Sequence, residues 1–243
     1  MRVESVTIYA LGGPLEGEPL SVPPAHHWPF AEDADTPFTA DVVDDADGVL
    51  KQGATLESGG LFLGGGGAHV DLPNGIVSAL PALTVELWVA FLDGDGVWER
   101  VFDFGTNDIG EIPDDFVGTY TGNSSRFIQL TASASDGQMK LIVNDGDLIA
   151  TTISTAPLPV GVLTHVVVTY DDTTGRVRLF VDGGERGAGV TPFALSELPD
   201  VNNWIGRSNY SVDPTIVARY ADFRLYGAAL TPAEVYARSR VDP

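Results

Sequence analysis

Residues 165–183 read His-Val-Val-Val-Thr-Tyr-Asp-Asp-Thr-Thr-Gly-Arg-Val-Arg-Leu-Phe-Val-Asp-Gly, and this stretch decides the fold. Two β-rich runs, 166–170 and 176–181, flank a polar turn at 171–175. Five loop residues ending in Gly suit a hairpin, because Gly takes positive φ without steric cost. In the second run Val177, Leu179 and Val181 alternate with Arg176, Arg178 and Phe180. A period of two buries one face and leaves the other mostly wet. A second turn follows directly at Asp182-Gly183-Gly184.

Working outward, the same pattern recurs on both sides. Strands are expected at 60–72, 83–92, 98–105, 127–132, 139–143 and 148–153, and again at 190–193, 203–206 and 221–226. Gly and Asp punctuate them throughout. The run Gly64–Gly67 precedes neither a Lys-Ser/Thr pair nor a helix, so it reads as a tight strand connection and not a phosphate loop. One helix is predicted, at 232–238, where Thr231-Pro232-Ala233-Glu234 combines an N-cap hydroxyl, Pro at the first position and Glu at N3. About a dozen short strands and a short C-terminal helix predict an all-β, two-sheet antiparallel sandwich or jelly roll. Residues 1–24 read as a separate strand (2–11) and linker, with the globular domain at 25–243.

Composition bounds the partners. The 243 residues are 44% hydrophobic and 9% aromatic, enough for a sizeable core. With no cysteine there is neither disulfide nor thiolate metal site. The net charge is −21, and Lys51 and Lys140 are the only lysines. No basic stripe exists to neutralise phosphates, which argues against nucleic acid and against anionic membranes. No segment reaches the ~18 apolar residues of a membrane helix. Residues 1–10 alternate like a strand and lack the features of a signal peptide. Asp-rich loops suit Ca²⁺, a hard cation that takes oxygen ligands.

Several ordered pieces resemble one family, the laminin-G-like, concanavalin A-like lectin/glucanase jelly rolls. They are His27-Trp28-Pro29-Phe30, Leu61 to Val70, Thr84-Val-Glu-Leu-Trp-Val89 and Arg100-Val-Phe-Asp-Phe-Gly105. Thr164 to Asp171, Val177 to Gly183, Ile205-Gly-Arg-Ser208, and Ala221 to Tyr226 with Leu230 to Val235 complete the order. The resemblance implies a sandwich that often bears Ca²⁺ and binds glycans or surface proteins, usually as a non-catalytic module of secreted or cell-surface proteins. Some relatives are polysaccharide hydrolases or lyases, so fold alone does not settle function. A structural or adhesive role in a cell-surface or phage assembly is a third reading, suggested by the strand at 2–11.

The resemblance also proposes residues. Asp222 interrupts an apolar strand where relatives place a calcium ligand, with Asp33 as its partner from the acidic stretch 32–48. A second calcium position would join Asn107 and Asp108 to the loop ending in Asp213, although Arg207-Ser208-Asn209-Tyr210 stands where relatives carry acids. Trp28 and Trp88 match buried family positions.

The residues themselves say less about chemistry. A glycan surface needs aromatics beside paired polar groups. Trp98, Tyr120, Trp204 and Tyr210 stand at strand ends or in loops, near Asp103, Asn107, Arg207 and Asn209. A glycosidase needs two carboxylates about 5–9.5 Å apart, and a strand would present them on one face as Glu-x-Asp-x-Glu. That run occurs nowhere, and Glu86 stands alone on its strand. His26 and His27 face opposite ways, and His69 and His165 read as core or rim histidines.

Overall fold

The computed structural model describes residues 22–57, 60–93, 96–113, 126–147, 150–241 and 243. The expected strand at 2–11 and most of the linker lie outside these residues. The described strands form two eight-stranded antiparallel sheets enclosing one main core. This is the jelly-roll sandwich the alternation predicts.

Sheet A runs in the order β14 (Gly184–Val190), β13 (Arg176–Val181), β12 (Thr164–Asp171), β7 (Leu83–Phe91), β16 (Val217–Tyr226), β5 (Gly60–Gly64) and β4 (Thr55–Glu57). The short β1 (His26–Trp28) also pairs with β16. Sheet B runs β11 (Ala150–Thr155), β10 (Met139–Asp145), β9 (Arg126–Thr131), β8 (Arg100–Gly105), β15 (Asn202–Ile205), β6 (His69–Leu72), β3 (Gly48–Lys51) and β2 (Phe38–Thr39).

The hairpin that opened the argument is β12–β13, with Val166 opposite Val181 and Val168 opposite Leu179. Asp171 Oδ1 accepts from the backbone of Thr173 and Thr174, and Gly175 takes φ 62° to close the loop. The next turn holds Asp182 at φ 50° and Gly183 at φ 76°, the two positive values that a tight type I′ hairpin needs. Inward-facing Val166, Val168, Val177 and Leu179 join the main core. Burying each such side chain stabilises by about 1.5–3 kcal/mol.

All nine residues of β7 are buried, so this strand is covered on both faces. Leu83, Val85, Leu87, Val89 and Phe91 enter the core between the sheets. On the far side, Val167, Phe180, Tyr226, Leu230 and Val235 form a satellite cluster. It seats α1 (Pro232–Arg238) on the outside of sheet A, with the expected capping box at Thr231 and Glu234.

Sequence reasoning missed β14, reading a strand at 190–193 instead. Its sequence, Gly-Glu-Arg-Gly-Ala-Gly-Val, has poor strand propensity. The glycines answer a packing need. A Cβ on Gly187 would lie 2.6 Å from Ile153 Cγ2, and one on Gly189 2.3 Å from Thr151 Cγ2. The edge of sheet A closes here against β11 of sheet B. The short strands β2, β3 and β4 escaped because two to four residues show no period.

Candidate functional site

The outer face of sheet B is where the chemistry collects. On β8, Phe102 and Phe104 enter the core, so Asp103 points outward. Registration places Asp103 opposite Gln129 on one side and Trp204 on the other, and Trp204 opposite Asp71. The strand order therefore builds a row that no single segment reveals.

Trp204 was expected to be free at a strand end, and the structure corrects this. It is 2% exposed. Its Nε1 donates to Asp71 Oδ1 at 3.0 Å, Ile112 packs on it, and the Arg207 guanidinium lies 4.3 Å from its ring centroid. His69 meets the same ring edge-on, with centroids 5.8 Å apart. His69 Nδ1 lies 2.7 Å from the Gly67 carbonyl and Nε2 3.3 Å from Arg207 Nη1. A carbonyl accepts only and a guanidinium donates only. Nδ1 is thus placed to donate to the carbonyl and Nε2 to accept from Arg207. Lys51, Gln52 and Pro113 complete the walls of a small cleft of about 40 Å³.

Beside the cleft a buried polar network fixes its loops. Asp103 accepts from the Asn209 backbone N at 2.8 Å and from Asn209 Nδ2 at 3.0 Å. Asn209 Oδ1 accepts from Asn202 Nδ2 at 3.0 Å and from Asn107 Nδ2 at 3.4 Å. Asn202 also accepts from the Ile112 backbone N and donates to the Gly110 carbonyl, holding the loop after β8 against β15. Arg100, 2% exposed, donates to Gln129, Thr131 and the Trp98 carbonyl, and to Asp213 Oδ2 at 2.6 Å. Its guanidinium lies between the rings of Trp98 (5.7 Å) and Tyr210 (5.9 Å). Burial pushes the Asp103 carboxyl up to about 6, against the lowering effect of Arg100 and Asn209.

Of the residues expected to bind ligand, Trp204 and Arg207 thus line the cleft. Asp103, Asn107 and Asn209 are buried beneath its rim as supports, and Tyr210 is half-buried beside Arg100. Tyr120 lies outside the described residues. Lys51, His69 and Asp71 were missed as site residues. Asp71 gave a faint signal, as the outward residue of the buried strand β6, but its pairing with Trp204 needs the topology.

At the expected calcium positions, Asp222 and Asp213 are already engaged by protein groups. Asp222 Oδ2 accepts from His27 Nε2 and from Arg224 Nη2, each at 2.8 Å. The Arg224 guanidinium meets its charge, while Asp33 stands exposed on its loop. The acidic loop turns inward on itself, with Asp41 accepting from His26 Nδ1 and from the backbone of His27 and Val43, and Asp47 from that of Asp41. At the second position Asp213 holds Arg100 and Ser208, Asn107 caps Ile109, and Asp108 is exposed. Among the described residues no three His, Asp or Glu groups gather as a metal site.

A second constellation lies on the outer face of sheet A, around Glu86, the one acid of β7. Its carboxylate accepts from His165 Nε2 at 3.0 Å, Tyr226 Oη at 2.5 Å and Arg238 Nη1 at 3.0 Å. Burial alone would raise its pKa; the His165 hydrogen bond, the Arg238 charge and the Tyr226 hydroxyl outweigh that and leave it lowered. His165 packs against Trp88 with centroids 4.3 Å apart and ring planes tilted by 40°, and its Nδ1 finds no partner among the described residues. The partners come from β12, β16 and α1, which is why the sequence of β7 alone hid them. As expected, Trp28 and Trp88 are buried.

Comparison with known proteins follows the same lines. Domain 4 of AbnA, an extracellular arabinanase from Geobacillus stearothermophilus solved with arabinotriose, is 21% identical with a TM-score of 0.67, covering 88% of this chain and 97% of that domain. Trypanosoma rangeli sialidase with sialic acid is 18% identical (TM-score 0.63), and the match covers 88% of this chain but 32% of the sialidase. The ligand-binding domain of botulinum neurotoxin serotype D with N-acetylneuraminic acid is 11% identical (TM-score 0.64), covering 89% of this chain and 50% of that one. These likenesses establish a shared fold. No curated protein sequence matches. No helix among the described residues is long and apolar enough to cross a membrane. A family model matches residues 64–236, and the chain belongs to the concanavalin A-like lectin/glucanases superfamily, in its laminin-G-like branch.

Proposed function

We propose that the chain is a non-catalytic glycan-binding module of a secreted or cell-surface protein, taking its ligand on the outer face of sheet B. The observation that supports it is the cleft at Trp204. Arg207, His69 and Asp71 are fixed there around one aromatic ring, and Asp103, Asn202 and Asn209 brace the loops beside it. Convergent polar groups in a concave, preformed setting are what a sugar needs. The neighbours solved with arabinotriose and N-acetylneuraminic acid lend support by analogy of fold. A glycan array tests the reading: specific signal that falls when Arg207→Glu is introduced supports it, and an empty array counts against it.

The Glu86 cluster favours a second reading, a polysaccharide hydrolase or lyase, because His165, Tyr226 and Arg238 converge there. Against it, Glu86 and Tyr226 are fully buried, and α1 supplies Arg238 from above. Asp103 is equally inaccessible. Groups sealed in this way have no substrate in reach. New reducing ends or unsaturated products from a polysaccharide panel would restore the enzymatic reading.

A further inference from the structure

Buried carboxylates in this chain are met by donors, with one exception among the described residues. Asp41 has His26, Asp103 has Asn209, and Asp200 has the backbone amides of Val77 and Ser78. Asp222 has Arg224, and Glu86 has His165, Tyr226 and Arg238. Glu99 differs. It is 3% exposed, the Val217 amide meets its carboxylate, and Oε2 finds no hydrogen-bond partner. An unpaired buried acceptor is costly, and an unpaired buried charge is more so. Burial, and then the charge of Asp93, push the Glu99 carboxyl up to about 7. The charge acting on it is thus a second acid.

These two acids stand where the connection between the sheets turns over the rim of the sandwich. Asp93 follows β7 of sheet A, and Glu99 precedes β8 of sheet B. Both ends of the connection are pinned. Leu92 N donates to the Val217 carbonyl at 2.8 Å, and Ala132 N donates to the Glu99 carbonyl at 3.0 Å. Between them the sequence reads Asp-Gly-Asp-Gly-Val-Trp-Glu over residues 93–99. At Gly96 the backbone comes up against the Glu99 carboxylate, where a Cβ would lie 2.2 Å from Oε1 and 2.8 Å from Oε2. The Glu99 side chain therefore folds back against the segment that carries Asp93.

We propose that Asp93 and Glu99 hold a calcium ion at this rim, tying the end of β7 to the start of β8. A water molecule would satisfy Oε2 and leave the two acids repelling each other, whereas a cation removes both penalties. Calcium is a hard cation with flexible geometry, and it accepts backbone carbonyls and water beside carboxylates. Asp93 keeps its other contacts, since an ionised carboxylate offers about four acceptor sites. With two charged ligands the site belongs to the weak class, with Kd of about 10⁻⁴–10⁻³ M. It is separate from the two positions at Asp222 and Asp213, and it does not depend on the glycan reading.

Thermal melting of the full chain in EDTA and in calcium chloride, with calorimetric titration of calcium alone, tests the site. At about ten times Kd the melting temperature should rise by about 3–6 °C. Glu99→Gln keeps the shape of the side chain and removes the charge that burial opposes, so it is expected to fold and to lose this rise. Asp93→Asn should weaken calcium binding about tenfold. Asp44→Asn, in the exposed acidic loop, should keep the full rise. That variant controls for diffuse attraction of cations to a chain of net charge −21. No rise in the unmodified protein, or an undiminished rise in Glu99→Gln or Asp93→Asn, overturns the proposal.

Discussion

Asn209 donates two hydrogen bonds to the buried Asp103 carboxylate, 2.8 Å from its backbone N and 3.0 Å from its Nδ2. Asp103 sits in the middle of sheet B, and Asn209 lies two residues beyond Arg207, so this contact sets where the cleft's guanidinium stands. Removing the donor leaves a fully buried acceptor short of a partner, which costs about 1–3 kcal/mol. Asn209→Ala should lower stability by that amount in urea titration and weaken ligand binding, although Asn209 itself does not line the cleft.

Two buried carboxyls give the protein an unusual pH response. Burial pushes Asp103 up to about 6, and burial with the nearby Asp93 charge pushes Glu99 up to about 7. Glu99 Oε2 has no partner among the described residues. A raised folded-state pKa means that the native protein holds its proton more tightly than the unfolded chain. The stability these groups contribute is present below about pH 4.5 and is lost as pH rises through 6 to 7. Glu86, held low, works the other way and loses its contribution as pH falls below about 4.5. Melting temperature should therefore peak near pH 5 and decline toward pH 8. Glu99→Gln should flatten the upper part of that decline.

The Glu86 cluster is expected to be structural. Removing Glu86 strands Arg238 as a buried charge, and breaking a buried pair typically costs about 3–5 kcal/mol. Glu86→Gln should show a loss of this size in denaturant titration and free the C-terminal helix from sheet A. The exposed Arg219–Glu57 pair is the control. Glu57→Gln should change stability by less than about 1 kcal/mol.

The seam between the sheet edges supplies another prediction. A Cβ at Gly189 meets Thr151 at 2.3 Å, and one at Gly187 meets Ile153 at 2.6 Å. Overpacking of this kind costs about 1–3 kcal/mol. Gly189→Ala should destabilise by that amount despite alanine's better strand propensity, and Thr151→Ser should recover part of the loss by removing the methyl.

How much was legible in the sequence follows from what each feature depends on. Strand β13 announced itself by its period of two, and β7 and β12 by runs of β-branched and aromatic residues, all properties of neighbours in the chain. Helix α1 was equally plain, since its cap is written in four consecutive residues. By contrast, β14 is glycine-rich because of β11, a partner about 35 residues away. The candidate site follows the same rule. Arg207 was found because it follows strand β15, and Trp204 because it is an aromatic within it. Asp71, His69 and Lys51 were not, because they reach Trp204 only through the register of β3, β6 and β15. Reading Trp204 as free failed for a related reason: its exposure is decided by Asp71, Ile112 and Arg207, none of them within two residues of it. The calcium positions came from the resemblance, and in this chain His27 and Arg224 at one position and Arg100 at the other engage the carboxylates.

The most direct measurement is a titration of the ¹⁵N-labelled protein with N-acetylneuraminic acid and, separately, with arabinotriose, followed in the indole region of the NMR spectrum. The chain has four tryptophans, so four indole N–H signals are expected. Binding on the outer face of sheet B should move the Trp204 signal, whose N–H is held by Asp71, along with backbone signals of Lys51 and Arg207, and leave Trp28 in place. Shifts confined to Trp88 and the Glu86 cluster, or none with either sugar, would contradict the account.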